Sequence, residues 1–290
     1  MNKHRSASSA LSAVLISAAV ITSAAQQAFS GRISDSTCGR SHATKRSAVG
    51  ETDRQCLLAC INALAKYVLV DESGRVVPIA NQEAMGLPLY AGRPVNVTGD
   101  ANGGAITVAR IEAIGAHLHL LHVMTNWRDT PGGRGFLPVA IDQARAAALH
   151  AGLAAIASSL ADIKAQSGEA LQALDPAIES GGADTSYGVR KAVAAALQHL
   201  DLAAKGEGAT PNIITRAAAT SASLADAQRL LDEAIAAAQG ARAATEPADA
   251  AARALQLAAI TTRLASGSLS DAQTQMNAML EAEHLLGAPR

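Results

Sequence analysis

The feature that most constrains the fold is a change in the spacing of apolar residues near residue 115. Before it, apolar and polar positions alternate, as at Val95 and Val97, which is the pattern of a half-buried β-strand. After about residue 137, apolar residues recur three and four positions apart, as in an amphipathic helix. The two patterns predict an α+β chain, with a β domain over 26–114, a connector over 115–136 and a helical domain over 137–290.

The β domain is predicted to contain five short strands and one helix. The strands are expected at 28–34, 66–70, 75–80, 94–98 and 105–114, and the helix at 53–64. Turns are expected at 71–74 and at 100–104, where Gly103 and Gly104 can adopt positive φ. This arrangement predicts a small, partly closed barrel of the OB type.

The helical domain is predicted to be an antiparallel bundle, because the connections between its apolar stripes are short. The stripe expected to face the core at the start of the bundle consists of Leu149, Leu153, Ile156, Leu160 and Ile163. Alanine occupies much of each expected inner face, and alanine buries little area per residue. The bundle is therefore expected to be thinly packed and to need a partner.

Local signals predict where the helices begin and end. Threonine precedes proline at 210–211 and glutamate precedes proline at 246–247, which favours helix starts at both places. The Ser-Asp-Ala-Gln run at 270–273 matches a capping box. Glycines at 181–182 and 206–208 are expected to end helices.

All three cysteines of the chain lie in one short stretch together with a histidine. Cys38 and His42 are four positions apart, and so are Cys56 and Cys60. Residues four apart share one face of a helix, so each pair can present two ligands in one direction. Three thiolates and one imidazole complete a tetrahedral set that suits a zinc ion, and soft thiolates also suit copper(I). This predicts a Cys3His metal site.

Two other interpretations of the cysteines remain open. In an oxidising compartment, Cys38 can form a disulfide with Cys56 or Cys60, which would brace a small domain. One cysteine is then left over, either buried and inert or reactive as a redox-active thiol.

The β domain also shares several short elements with a known group of proteins. The elements are Phe29-Ser30-Gly31-Arg32-Ile33-Ser34-Asp35, Cys38-Gly39-x-x-His42, Cys56-x-x-x-Cys60, Ala65-Lys66-Tyr67-Val68-Leu69 and Ala91-Gly92-x-x-Val95-x-Val97-x-Gly99. With them the chain resembles a family of small exported bacterial domains of unknown function, here fused to an Ala-rich helical domain. The resemblance covers roughly the first third of the mature chain. It implies export and a β-barrel-like fold, and it implies no activity.

Residues 1–25 are predicted to be a secretory signal, with a basic start, an apolar segment and cleavage after Ala25. We therefore expect a periplasmic or secreted protein, with no membrane span in the mature chain. The chain has 24 basic and 25 acidic residues, and the signal contains two of the basic ones. No basic patch stands out, so nucleic acid is not an expected partner. An OB fold can stack bases on tyrosines, but Tyr67 and Tyr90 are predicted to be core residues.

The connector contains three histidines in six positions, His117, His119 and His122. His119 and His122 would share one face of a helix, but no single conformation aligns all three. Metal binding here and histidines that merely occupy the junction are both open interpretations. Trp127, the only tryptophan, is expected to be a packing anchor between the domains. His199 on a later helix is expected to be an ordinary solvated or packed histidine, as are His150 and His284.

The sequence predicts an exported, non-enzymatic protein with a metal-binding β domain and a helical interaction domain. The helices would bind an unidentified protein or a second copy of the chain. The alternative is a disulfide-braced periplasmic binding or scaffold protein without metal. A secreted enzyme is disfavoured, because the sequence offers no nucleophile–base pattern and no catalytic metal motif with an open position.

Overall fold

The computed structural model describes residues 26–45, 52–180 and 187–286, with only the backbone of Glu179 and Ser180. It is α+β, with one antiparallel sheet followed by helices, as the change in periodicity predicts. The predicted signal at 1–25 and the glycine pair at 181–182 lie outside the described residues.

The sheet has five strands in the order β3-β2-β1-β4-β5, and all neighbouring strands are antiparallel. The strands are β1 Gln27–Asp35, β2 Tyr67–Asp71, β3 Val76–Pro78, β4 Pro94–Asn102 and β5 Ala105–Ala113. Gly103 and Gly104 join β4 to β5 with φ of 59° and 82°, values that glycine adopts without steric cost. All five predicted strands are therefore confirmed, with boundaries that differ by a few residues.

The sheet does not close into a barrel within the described residues. Its two edges approach each other at an isolated parallel bridge between Ile79, just after β3, and Ile106 of β5. Apolar side chains of the strands and adjoining loops form one core cluster, which includes Tyr67 and Tyr90. Because both rings are buried, the prediction that they are core residues is confirmed.

Nine α-helices are described. They are α1 Asp53–Asn62, α2 Gly115–Met124, α3 Phe136–Ile156, α4 Leu160–Leu174, α5 Pro176–Ser180, α6 Val189–Lys205, α7 Pro211–Ala243, α8 Pro247–Arg263 and α9 Leu269–Ala282. The predicted starts of α7 and α8 are confirmed, and the Thr210 hydroxyl accepts a hydrogen bond from the Ile213 amide at 3.1 Å. No described helix is long and apolar enough to cross a membrane.

The predicted capping box at 270–273 is wrong. Ser270 lies inside α9, and a π-helical turn at Leu264–Ser268 joins α8 to α9 without a break. Ser268, immediately before α9, has helical backbone angles and makes no capping hydrogen bond. The continuous backbone hydrogen bonding of a long helix therefore prevails over a local capping signal.

The predicted inward stripe is wrong in α3, although its last member, Ile163 of α4, is buried as predicted. Leu149, Leu153 and Ile156 are 62%, 41% and 80% exposed. The buried face of α3 consists mainly of alanines, with fully buried Ala140, Ala144, Ala147, Ala151 and Ala154. Because α3 packs against α4, α6 and α8, the approaching backbones leave room for methyl groups rather than leucine side chains.

The predicted connector contains helix α2, which contributes to two hydrophobic cores. Ala116, Leu120 and Val123 belong to the core of the helices. On another side of α2, Leu121 belongs to the core of the sheet and Leu118 packs against it. The helix therefore joins the two halves through side-chain packing. The division into domains at 114 and 137 stays a prediction.

Candidate metal centres

Helix α1 carries two of the three cysteines. Its start is a capping box: the Thr52 hydroxyl accepts from the Gln55 amide at 3.2 Å, and the Gln55 side chain accepts from the Thr52 amide at 3.0 Å. Cys56 and Cys60 follow one turn apart and are both buried. The predicted helix with two cysteines on one face is therefore confirmed.

Cys38 and His42 lie in the loop after β1 rather than on a helix, so the helical interpretation of their spacing is wrong. Asp35, the last residue of β1, has no exposed surface, and its Oδ1 accepts from the backbone amides of Thr37 and Cys38 at 2.8 Å each. Aspartate commonly holds a turn in this way. Gly39 continues the turn with φ of 58°.

The loop brings the third sulfur to the other two. Cys38 Sγ is 3.9 Å from Cys56 Sγ and 3.8 Å from Cys60 Sγ. A disulfide bond is about 2.05 Å long, so these sulfurs are not bonded to each other. Sulfurs bound about 2.3 Å from one tetrahedral zinc ion are separated by about 3.8 Å. Both contacts of Cys38 therefore have the length expected between ligands of one ion.

The predicted ligands form two overlapping groups that share Cys38. In one group, the ligand atoms of Cys38, His42 and Cys56 lie within 4.8 Å of one another. In the other, the ligand atoms of Asp35, Cys38 and Cys60 lie within 4.8 Å. The four predicted residues are thus divided between two groups, each of which could hold a metal ion, and Asp35 is a further candidate that sequence reasoning missed. A carboxylate directly after a strand and three residues before Cys38 was the available signal.

Two buried polar atoms in this region lack hydrogen-bond partners. They are Nδ1 of His42 and Oδ2 of Asp35, which lie 3.6 Å apart. The other ring nitrogen, Nε2 of His42, lies 3.0 Å from the Ser34 hydroxyl. A buried polar atom without a partner costs about 1–3 kcal/mol. A cation bound beside these atoms would remove that cost, so the residues fit a metal ion.

Burial favours the protonated thiol form of Cys38 and Cys60. Burial, the contact with Cys60 and the charge of Asp35 raise the pKa of Cys38 to about 12. Burial also raises the pKa of Cys60. A metal ion binds the thiolate form, so it must displace protons when it enters this site.

The histidines of α2 separate into two environments. His117 is buried, and its Nε2 lies 3.2 Å from Oε2 of Glu283. Glu283 Oε1 also accepts from the Thr210 hydroxyl at 2.5 Å and from the side-chain Nδ2 of Asn212 at 2.9 Å. Burial lowers the pKa of His117. Although burial opposes ionisation of Glu283, hydrogen bonds from His117, Thr210 and Asn212 hold the pKa of Glu283 at about 2.

His119 and His122 share one face of α2, as a helical connector predicts, and they meet His199 of α6. His199 Nδ1 lies 3.0 Å from Nδ1 of His119 and 3.3 Å from Nδ1 of His122. The three ligand atoms lie within 4.8 Å of one another, so this cluster can also hold a metal ion. Sequence reasoning missed His199, because only tertiary packing brings it to α2.

Each imidazole of this cluster resists protonation. Burial lowers the pKa values of His119 and His199. Burial and the neighbouring imidazoles lower the pKa of His122 to about 4. Trp127 packs against His122 and His199, with ring centroids 4.7 and 5.3 Å away, and it packs on the helical core. Trp127 is therefore a packing residue of the helical core, and its predicted place between two domains stays a prediction.

Comparison with known proteins found no matching family model, no matching curated protein and no matching solved structure. The resemblance to exported bacterial domains therefore stays a prediction.

Proposed function

We propose that the chain is an exported, non-enzymatic metal-binding protein in which Cys38, His42, Cys56 and Cys60 hold one zinc or copper ion. The observation that carries the proposal is the position of Cys38 Sγ, which lies 3.9 and 3.8 Å from the other two sulfurs. Those distances match the edge of a tetrahedron around zinc, about 3.8 Å. The partnerless Nδ1 of buried His42 adds an imidazole ligand beside them.

The ion at this site has a structural role. Cys56 and Cys60 belong to α1, whereas Cys38 and His42 belong to the loop after β1, so one ion ties the helix to the sheet. Three thiolates and an imidazole fill all four positions of a tetrahedral ion, which leaves no position for a substrate. Such closed sites stabilise a fold, and metal binding contributes directly to folding free energy.

The alternative function is a disulfide-braced periplasmic binding or scaffold protein. The same sulfur distances favour it as a second candidate, because a small side-chain rotation would bring Cys38 Sγ within bonding distance of Cys56 or Cys60. Export to an oxidising compartment would favour the bond.

We also propose that the β domain has an OB-type fold, which is supported by its five antiparallel strands and by the bridge between the sheet edges.

The interaction role of the helices is assigned to self-association. The surface of α3 formed by Leu149, Leu153 and Ile156, here called the α3 strip, is apolar and exposed. Its members are spaced by four and three positions, so they form a continuous line along one helix face. A second copy of the chain would cover this line with its own α3 strip across a two-fold axis.

The decisive experiment is mass spectrometry of the unreduced protein under native and denaturing conditions, combined with cobalt substitution. The metal proposal predicts fully reduced thiols, one ion at the cysteine site and thiolate-to-cobalt charge-transfer absorption. His42→Ala should weaken binding, and Cys56→Ser should weaken it more and diminish that absorption; His150→Ala is the control, since His150 contacts Gln166 elsewhere. A mass about two units lower, with no thiolate-to-cobalt absorption and no effect of His42→Ala on metal binding, would establish the disulfide instead.

A further inference from the structure

The three-histidine cluster of His119, His122 and His199 contains no cysteine or carboxylate in its ligand group. It is built from two helices that pack against each other, α2 and α6. All three side chains are partly buried. The cluster is therefore a defined contact between fixed elements of the fold, separate from the cysteine site on α1 and the β1 loop.

The two contacts that His199 makes within the cluster cannot both be well-formed hydrogen bonds. A neutral imidazole carries one N–H, on either Nδ1 or Nε2. Nδ1 of His199 faces Nδ1 of His119 at 3.0 Å and Nδ1 of His122 at 3.3 Å. If Nδ1 of His199 donates its proton to one of these nitrogens, no proton points along its contact with the other nitrogen. A cation at the point where the three atoms converge accepts a lone pair from each.

The distances fit a single ion. Zinc binds imidazole nitrogen at about 2.0–2.1 Å, so two nitrogens on one tetrahedral zinc ion are about 3.3 Å apart. The two nitrogen–nitrogen contacts made by His199 are 3.0 and 3.3 Å. The remaining pair of ligand atoms, on His119 and His122, lies within 4.8 Å.

We propose that His119, His122 and His199 form a second metal site, which binds a divalent ion of the imidazole-preferring class, Zn²⁺ or Cu²⁺. Imidazole nitrogen suits zinc and copper, whereas Mg²⁺ and Ca²⁺ prefer oxygen ligands. The rings of the site are fixed by aromatic packing: His122 contacts Trp127 with centroids 4.7 Å apart, and His199 contacts Phe136 with centroids 5.1 Å apart. Such support holds ligands in their binding geometry.

Three protein ligands leave one tetrahedral position for water or another exchangeable ligand. His122 also lines a cavity of about 480 Å³ between β5 and α2. Tyr90, Glu112 and Asn126 line the same cavity and provide polar groups for a small ligand. The second site thus differs chemically from the closed cysteine site, because its ion keeps an exchangeable position.

Cobalt(II) titration of the full chain tests this proposal, because the two sites have different spectra. The wild-type protein should bind a cobalt ion that absorbs only in the visible d–d region, in addition to any ion with thiolate charge transfer. His199→Phe keeps an aromatic ring beside Trp127 and Phe136 but removes a ligand. It should weaken binding of the thiolate-free ion by more than about 100-fold and leave the charge-transfer absorption unchanged. Removing a direct ligand costs more metal affinity than removing a residue that only supports a ligand.

Three further variants complete the test. Cys56→Ser should change the thiolate absorption and spare the histidine-bound ion, so that failure of the cysteine site is distinguished from failure of this one. His119→Gln should repeat the loss if His199→Phe does not fold, which circular dichroism reports. His150→Phe, on α3 and outside the cluster, should bind cobalt as the wild type does. Unchanged thiolate-free binding in a folded His199→Phe or His119→Gln, or no such binding in the wild type, would overturn the proposal.

Discussion

At the scale of single residues, Asp35 links the sheet to the cysteine site. One of its carboxylate oxygens fixes the loop that carries Cys38, through two backbone amides at 2.8 Å. The other oxygen lies 3.6 Å from His42 Nδ1 and has no hydrogen-bond partner. A fully buried carboxylate needs compensation for its lost hydration, and a metal ion at the proposed site would provide it.

The two functions of Asp35 can be separated by substitution. Asp35→Asn retains an oxygen that can accept both amides but removes the negative charge, so it should weaken zinc affinity about 10- to 100-fold and change stability little without metal. Asp35→Ala should also release the loop and lower the free energy of unfolding of the metal-free protein by about 1–3 kcal/mol. Zinc competition with a chelator and urea unfolding measure these effects. Equal zinc affinity in wild type and Asp35→Asn would exclude the charge from metal binding.

The cysteines and His42 could be predicted as a candidate site because all the thiols of the chain lie close together in sequence. Asp35 and His199 were missed for different reasons. Asp35 approaches Cys38 through a local turn at the end of β1, so its position three residues before Cys38 was a usable signal. His199 reaches the other histidines only because α6 packs against α2, and such a tertiary contact leaves no spacing pattern in the sequence.

At the scale of elements, α3 shows why an apolar stripe does not by itself identify a buried face. Two lines of small or apolar residues run along this helix, one of leucine and isoleucine and one of alanine. Hydrophobicity alone predicts that the larger side chains form the buried face, but these side chains form the exposed α3 strip. Close packing against three neighbouring helices selects alanine, and that choice depends on interhelical distance.

Two matched substitutions test the assignment of helix faces. Leu224→Asp on α7 places a charge at a fully buried position and should lower the free energy of unfolding by several kcal/mol. Leu153→Asp on the α3 strip should change the stability of the monomer by less than about 1 kcal/mol. It should also abolish concentration-dependent association seen by analytical ultracentrifugation. A wild-type protein that stays monomeric at all concentrations would contradict self-association, and equal destabilisation by both variants would contradict the faces.

The strands were predictable because their signals are local. Alternating apolar residues and glycine turns such as Gly103-Gly104 specify a hairpin within a few residues. By contrast, whether residues 270–273 cap a helix depends on helical structure that already begins at Pro247. Whether a sheet closes also depends on the distance between its edges, which no single strand encodes.

At the scale of the whole molecule, α2 completes two cores at once. This arrangement predicts that the fragment 26–124 is more stable than the fragment 26–114, because the longer one retains Leu118 and Leu121 against the sheet. Burial of one leucine contributes about 1.5–3 kcal/mol, so we expect a difference of about 2–4 kcal/mol in urea unfolding at equal zinc concentration. Leu121→Ala in the longer fragment should remove about half of it. Fragments of equal stability would show that the sheet core is complete without α2.

Glu283 connects distant parts of the chain in a similar way. It lies just after α9, and its carboxylate contacts His117 of α2, Thr210 before α7 and Asn212 within α7. Its pKa is held at about 2, below the ordinary value of 4.5. A carboxyl group whose pKa is lower in the folded state stabilises the fold at pH values above the unfolded pKa.

This pKa difference predicts a specific loss of stability in acid. The contribution of Glu283 should be fully present above about pH 5 and should disappear as the pH falls through about 2, a change of up to about 3 kcal/mol. Glu283→Gln should lower the free energy of unfolding at pH 7 by about 1–3 kcal/mol and flatten its dependence between pH 5 and 2. Glu207→Gln is the control. The Glu207 side chain is 64% exposed and pairs with Arg32 at 3.6 Å, and such a surface pair contributes little to the free energy of unfolding. Urea unfolding at a series of pH values measures all three proteins. If Glu283→Gln and the wild type lose stability in parallel between pH 5 and 2, the carboxylate does not hold α2, α7 and α9 together.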